Sequence, residues 1–110
     1  MSESERRRAL NQAVARDANE AVEEMATAWE PAADPLDIRC ECSRADCEAI
    51  LRLTLAEYEE VRSEPRQFAV IAEHVDPEID RMIGSIRGYA LIEKVGEIGV
   101  EVAEATDTRS

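Results

Sequence analysis

The sequence has few aromatic residues, few glycines, a single histidine and no long apolar run. Its four aromatic residues, Trp29, Tyr58, Phe68 and Tyr89, leave alanine, valine, isoleucine and leucine to form most of the core. Such a core is small, and a structural metal would add stability where burial alone is marginal. The four glycines are scattered through the last third of the chain, which excludes a glycine-rich phosphate-binding loop.

Membrane and nucleic-acid signals are also missing. No apolar segment follows the N-terminus as in a signal peptide, and no stretch is long enough to cross a bilayer. We therefore expect a cytoplasmic protein. The 25 acidic and 13 basic residues give a net charge of -12, which repels phosphate groups. We expect no nucleic-acid partner and no membrane partner.

Three cysteines, Cys40, Cys42 and Cys47, lie within eight residues and are the only cysteines in the chain. In a reducing compartment such a cluster is typical of a metal site. Zinc prefers four tetrahedral ligands, with thiolate sulfur at about 2.3 Å and imidazole nitrogen at about 2.0 Å. A turn at Glu41 would let the first two sulfurs reach one ion, and the residues after Cys42 bring Cys47 back toward it. The pattern predicts one zinc ion per chain.

The fourth ligand is less directly indicated by the sequence. His74 is the only histidine and follows a predicted strand, so it can complete a site of three thiolates and one imidazole. Asp46, Glu41 or a water molecule are the alternatives, and a water would leave an open, catalytic type of site. A labile disulfide between Cys40 and Cys42 would instead indicate thiol redox chemistry. Copper(I) and iron–sulfur clusters also accept cysteines, and no sequence feature favours either.

The first 29 residues have helical periodicity. Apolar residues recur at three- and four-residue steps: Leu10, Ala13 or Val14, Ala18, Ala21 or Val22, Met25 and Trp29. This mostly alanine stripe predicts a helix that either docks on the domain's own core or pairs with a second copy. Two prolines at 31 and 35 then break the helix and indicate a linker.

The sequence pattern in the middle of the chain predicts a small sheet. Alternating residues at 36–40 and 49–53 indicate two strands around the cysteines, which together form a zinc-knuckle-like hairpin. Thr54 and Glu57 have capping-box spacing before a short helix at 55–62. Apolar residues at 68–72 predict a third strand in a central position. For 79–94 we favour a β-hairpin, 79–86 paired with 89–94, over a helix.

These patterns together predict an α+β fold, with a long N-terminal helix followed by a small antiparallel β-sheet, the zinc-knuckle-like hairpin and one short helix. We divide the chain into an N-terminal amphipathic helix at 1–30, a metal-binding α+β domain at 36–95 and a flexible acidic tail at 96–110. The zinc-deaminase signature is missing and we find no other catalytic motif, so we expect no enzymatic activity.

The spacing Cys40-x-Cys42-x4-Cys47, the segment from Leu53 to Phe68 and His74 resemble a family of short uncharacterised bacterial proteins, found especially in actinobacteria. The resemblance covers about half of the chain. It implies that Cys40, Cys42, Cys47 and His74 form a shared metal site, and it implies no activity. This chain has Ala-Glu-His at 72–74 where relatives often have Pro-Gly-His.

The sequence favours a small zinc-binding protein in which the metal is structural and the domain acts by binding another protein, with a regulatory role. Its acidity suits a basic partner surface. The N-terminal helix could also form a homodimer. The alternatives are a redox sensor, in which oxidation ejects zinc, and a zinc enzyme with three thiolates and a water as ligands.

Overall fold

The computed structural model describes residues 2–28 and 35–107 and has the predicted α+β fold. Its elements are α1 (Ser2–Ala28), β1 (Leu36–Arg39), β2 (Ile50–Leu53), α2 (Leu55–Val61), β3 (Gln67–Val70), a 3₁₀ helix (Ala72–His74), β4 (Asp80–Ile86), β5 (Tyr89–Lys94) and α3 (Glu97–Ala105). β1 and β2 form an antiparallel hairpin, and β3, β5 and β4 form a separate antiparallel sheet in that order. Trp29 and all but the last residue of the predicted linker at 30–35 lie outside the described residues.

Two local sequence patterns, the capping box and the two-residue turn, form the elements that they predict. The Thr54 hydroxyl accepts a hydrogen bond from the Glu57 amide at 3.1 Å, and the Glu57 carboxylate accepts one from the Thr54 amide at 2.7 Å, so the capping box starts α2. The predicted β4–β5 hairpin turns through Arg87 and Gly88, both with positive φ (51° and 84°). This two-residue turn matches the twist of paired strands, and glycine adopts its conformation without steric cost.

The prediction that the third strand is central is wrong. β3 is shorter than expected and lies at an edge of its sheet, with β5 in the centre. Phe68, Ala69 and Val70 are nevertheless buried, because the chain after β1 covers the outer edge of β3. There the Glu41 amide donates to the Ala69 carbonyl at 2.9 Å. Apolar residues on both faces of a strand therefore indicate that the strand is buried. A covering loop can bury it as well as a neighbouring strand can.

α1 docks on the rest of the protein through a polar face rather than through its predicted apolar stripe. The buried positions are spaced along one side of the helix and are largely hydrophilic: Ala9, Gln12, Ala13, Ala15, Arg16, Asn19, Glu20 and Glu23. Most of the predicted stripe faces solvent, and Val14 and Met25 are each 63% exposed. No helix within the described residues is long and apolar enough to cross a bilayer.

A buried polar side chain requires a hydrogen-bonding or ionic partner. Gln12 and Glu20 on α1 each have one. Gln12 donates to Asp80 at 3.2 Å, and Lys94 donates to the same carboxylate at 3.1 Å. Arg62, whose side chain is inaccessible to solvent, pairs with Glu20. These long-range pairs fix α1 relative to the sheet and to α2.

The predicted flexible tail is largely helical. α3 begins after Gly96, whose φ of 87° turns the chain, and it buries Val102 and Ala103. Contact with α1 accompanies nine residues of helix in this segment, which was predicted to be flexible. Tertiary packing stabilises such short helices more than intrinsic propensity does. Residues 108–110 lie outside the described part of the chain.

Arg16 connects α1 to three other segments. Its guanidinium donates to the Pro65 carbonyl at 2.6 Å, to the Ala103 carbonyl at 2.9 Å and to the Thr106 hydroxyl at 2.9 Å. It also lies over the Phe68 ring, 4.8 Å from the centroid. Burial lowers the pKa of Arg16. The arginine therefore satisfies buried acceptors that no apolar residue could reach.

We predict that Arg16→Met lowers the free energy of unfolding by about 3 kcal/mol, because it leaves buried acceptors without a donor. Chemical denaturation measures the loss. Arg52→Met is the control, since the Arg52 side chain forms an exposed ion pair with Asp37, which contributes about 0–1 kcal/mol. Equal stability of the two variants would contradict the role of Arg16.

Candidate metal centre

The four predicted ligands come from two segments of the fold, the loop between β1 and β2 and the 3₁₀ helix after β3. Cys40 directly follows β1, Cys42 and Cys47 lie in the loop between β1 and β2, and His74 ends the 3₁₀ helix after β3. The Cys40 amide donates to the Ala49 carbonyl at 3.0 Å, which closes the loop. A local turn, with the Cys47 amide donating to the Arg44 carbonyl at 3.3 Å, directs the third cysteine back.

The structure brings these four side chains together. One donor atom from each of Cys40, Cys42, Cys47 and His74 can be chosen so that all lie within 4.8 Å of one another. The His74 Nδ1 atom is 3.4 Å from the Cys47 sulfur and 3.8 Å from the Cys40 sulfur. All three cysteines are buried and unpaired as disulfides, and His74 is half-buried.

The spacing of the donors fits a tetrahedral metal. Ligand distances of about 2.3 Å for sulfur and 2.0 Å for nitrogen require sulfur–nitrogen separations of about 3.5 Å. The two observed separations involving His74 Nδ1 are close to this value. Soft thiolates with one imidazole are a donor set typical of structural zinc. The four side chains present could therefore hold one ion.

Backbone amides stabilise negative charge on the sulfurs. The Ile71 amide donates to the Cys40 sulfur at 3.4 Å, and the Arg44 amide donates to Cys42. Before metal binds, a hydrogen bond from the Cys40 thiol lowers the pKa of Cys42 to about 5. The same bond, together with burial, raises the pKa of Cys40 far above its usual range. A metal ion would compete with protons for these sulfurs, because cysteines bind metal as thiolates.

Glu41, between the first two cysteines, is not a ligand. Its side chain is fully buried and points to the opposite side of the loop, where the Ala69 amide donates to Oε1 at 3.0 Å. Oε2 accepts from the Asn19 amide at 3.0 Å and from the Tyr58 hydroxyl at 2.8 Å. Burial raises the pKa of Glu41, while these three hydrogen bonds and nearby Arg16 favour its ionised form. The carboxylate fixes the direction in which the two flanking sulfurs point.

The sequence did not identify this supporting network. Asn19 also donates to the Arg39 carbonyl and accepts from the Arg39 amide, both at 2.8 Å, so it extends the edge of β1 just before Cys40. The sequence does contain a pattern that indicates a polar docking face. The polar residues Gln12, Arg16, Asn19 and Glu23 recur on one face of α1 at helical spacing. The other alternative ligand, Asp46, is exposed and outside the cluster.

Comparisons with protein-family models, with curated proteins and with solved structures find no match for this chain. The predicted resemblance to short actinobacterial proteins therefore stays a prediction. The fold and the donor cluster define the class instead: a small α+β protein whose three cysteines and one histidine could bind a metal.

We predict that Glu41→Gln weakens zinc affinity about 10–100-fold, the usual effect of changing a group that orients metal ligands. The side-chain amide of the new glutamine would direct an N–H group at neighbours that are themselves hydrogen-bond donors. Competition with a chromogenic chelator measures the affinity. Glu48→Gln removes an exposed charge near Cys47 and is the matched control. Unchanged affinity in Glu41→Gln would show that the carboxylate does not position the site.

Proposed function

We propose that the protein binds one zinc ion through Cys40, Cys42, Cys47 and His74, and that this ion is structural. The observation that carries the proposal is the convergence of four donor atoms, from the β1–β2 loop and the 3₁₀ helix, to within 4.8 Å of one another. Three thiolates and an imidazole satisfy tetrahedral zinc completely, with no position left for water. A closed site supports a structural role over a catalytic one.

Burial of the cysteines also supports a structural role. They lie in a hydrophobic cluster with Phe68, Val70, Ala90, Ile92 and Ala103, which joins the loop after β1 to the three-stranded sheet. The two sheets share no strand, so the ion would cross-link the β1–β2 hairpin to the end of β3. In a domain with few aromatic residues, that link supplies stability that apolar burial does not.

The domain would act by binding another protein, in the cytoplasm and in a regulatory role. The net charge of -12 disfavours nucleic acid and membranes and suits a basic protein surface. Exposed apolar side chains such as Ile50, Met82 and Ile83 add contact area. Metal would maintain the shape of this surface without contacting the partner.

We predict one zinc per chain in protein purified without added metal or chelator, measured by elemental analysis. His74→Ala should lose zinc or bind it much more weakly, while His74→Cys should restore it, because a fourth thiolate also completes a structural site. Glu73→Ala, on the exposed side of the same 3₁₀ helix, is the control. Full zinc affinity in His74→Ala would contradict the closed site.

Each single cysteine-to-serine variant should also unfold the protein or abolish its cooperative melting. Structural zinc contributes on the order of 10 kcal/mol in small domains, comparable to their whole stability. Circular dichroism with and without zinc measures the effect. A zinc-containing wild type whose fold survives chelation would indicate that the metal is dispensable for structure.

A zinc-linked redox sensor is the second candidate, and one specific observation favours it. A cavity of about 80 Å³ reaches Cys40 and Cys47 and is lined also by Arg39 and Arg44. A small oxidant could enter it, and nearby cations raise thiolate reactivity. Oxidation of two thiolates to a disulfide by peroxide, which is reduced to water, would remove two ligands and release the ion.

For the sensor, we expect low-dose peroxide to release zinc and a thiol reductant plus zinc to restore the fold. Arg44→Leu would slow the release several-fold by removing a cation from the cavity wall. A zinc-sensitive dye follows the kinetics, and Arg52→Leu is the exposed control. Release only under conditions that unfold the protein would favour the purely structural site.

A further inference from the structure

α1 has an exposed apolar band on the side opposite its docked polar face. The band consists of Leu10, Val14, Ala18, Ala21, Val22 and Met25, all of them exposed in the monomer. A groove of about 270 Å³ extends it from Leu10 and Val14 toward Thr106, at the end of α3. The polar face fixes α1 to the domain, and the band is left on the surface.

The spacing of the band is that of a helix-pairing seam. Val14, Ala18, Ala21 and Met25 follow one another at intervals of four, three and four residues, the repeat at which helices pair. The small Ala18 and Ala21 allow a second helix to approach closely. The band lies opposite the polar face, so a helix paired there would not collide with the β-sheets.

The charges along α1 indicate which partner fits. Arg6 and Arg7 are exposed about one turn into α1, after the exposed Glu3, whereas Asp17 is exposed near its middle and Glu24 near its C-terminal end. A second α1 in antiparallel orientation would place Arg6 and Arg7 of each helix beside the Glu24 end of the other. A parallel copy would place like charges together. α1 is also less acidic than the chain as a whole, with four arginines against six acidic residues.

We propose that two copies of this chain pair through the apolar band, with the α1 helices antiparallel about a two-fold axis. In this arrangement Val14 packs near Ala18 of the partner subunit, and Leu10 packs near Ala21 and Val22 of the partner subunit. Arg7 lies within reach of Glu24 of the partner subunit. The interface is self-complementary, as a two-fold axis requires. It does not depend on the proposed zinc site.

Sedimentation across a concentration series tests the pairing. The wild type should change from 12.3 kDa to twice that mass, with a Kd on the order of 10 µM, because an interface of one helix per chain is small. Val14→Glu should weaken dimerisation about 100-fold or more, since it inserts a charge in both halves of the interface. Met82→Glu adds the same charge at an exposed apolar site on β4 and should leave the Kd unchanged.

Charge reversal tests the orientation. Arg7→Glu alone and Glu24→Arg alone should each dimerise poorly, because each places like charges opposite one another. An equimolar mixture of the two variants should form a heterodimer at least as tight as the wild-type dimer, because both cross-pairs are then opposite in sign. Circular dichroism of each variant verifies the fold.

A wild type that stays monomeric at millimolar concentration would overturn the proposal and leave the band to a different protein. Equal weakening by Val14→Glu and Met82→Glu would also overturn it, since the effect would then be one of net charge. Dimers that form but show no heterodimer preference would overturn the antiparallel arrangement.

Discussion

The buried carboxylate of Glu41 connects the elements on which the fold and the donor cluster depend. It accepts hydrogen bonds from Asn19 on α1, Tyr58 on α2 and the Ala69 amide on β3. A buried carboxyl group costs free energy unless donors satisfy its oxygens, so these hydrogen bonds link the positions of α1, α2 and β3. Its two sequence neighbours are cysteines, and the same constraint therefore orients the sulfurs.

Polar docking of α1 has a consequence for the rest of its surface. Arg16 and Asn19 make hydrogen bonds whose geometry specifies one orientation of the helix, whereas apolar contacts alone would tolerate rotation. The orientation that satisfies these groups directs Val14 and Met25 to solvent. An exposed apolar band is thus the direct result of a polar interior face, and such patches commonly mark interaction surfaces.

Local signals predicted much of the fold. The capping box of Thr54 and Glu57, the Arg87-Gly88 turn and the alternation in β1 and β2 each depend on residues within a few positions of one another. The three cysteine donors were predicted for a related reason, because their short spacing lets one loop bring all three sulfurs together. His74 is 27 residues beyond Cys47, and its arrival at the cluster follows from the pairing of distant segments.

The sequence by itself determined the α+β class, the two hairpins and the three cysteines of the donor cluster, because these follow from local periodicity, turns and donor chemistry. Only the tertiary structure decided that α1 docks through Gln12, Arg16 and Asn19, that β3 is an edge strand covered by a loop, and that residues 97–105 form a helix. Each depends on a partner distant in sequence. Burial of a polar residue can be predicted only when that partner is known.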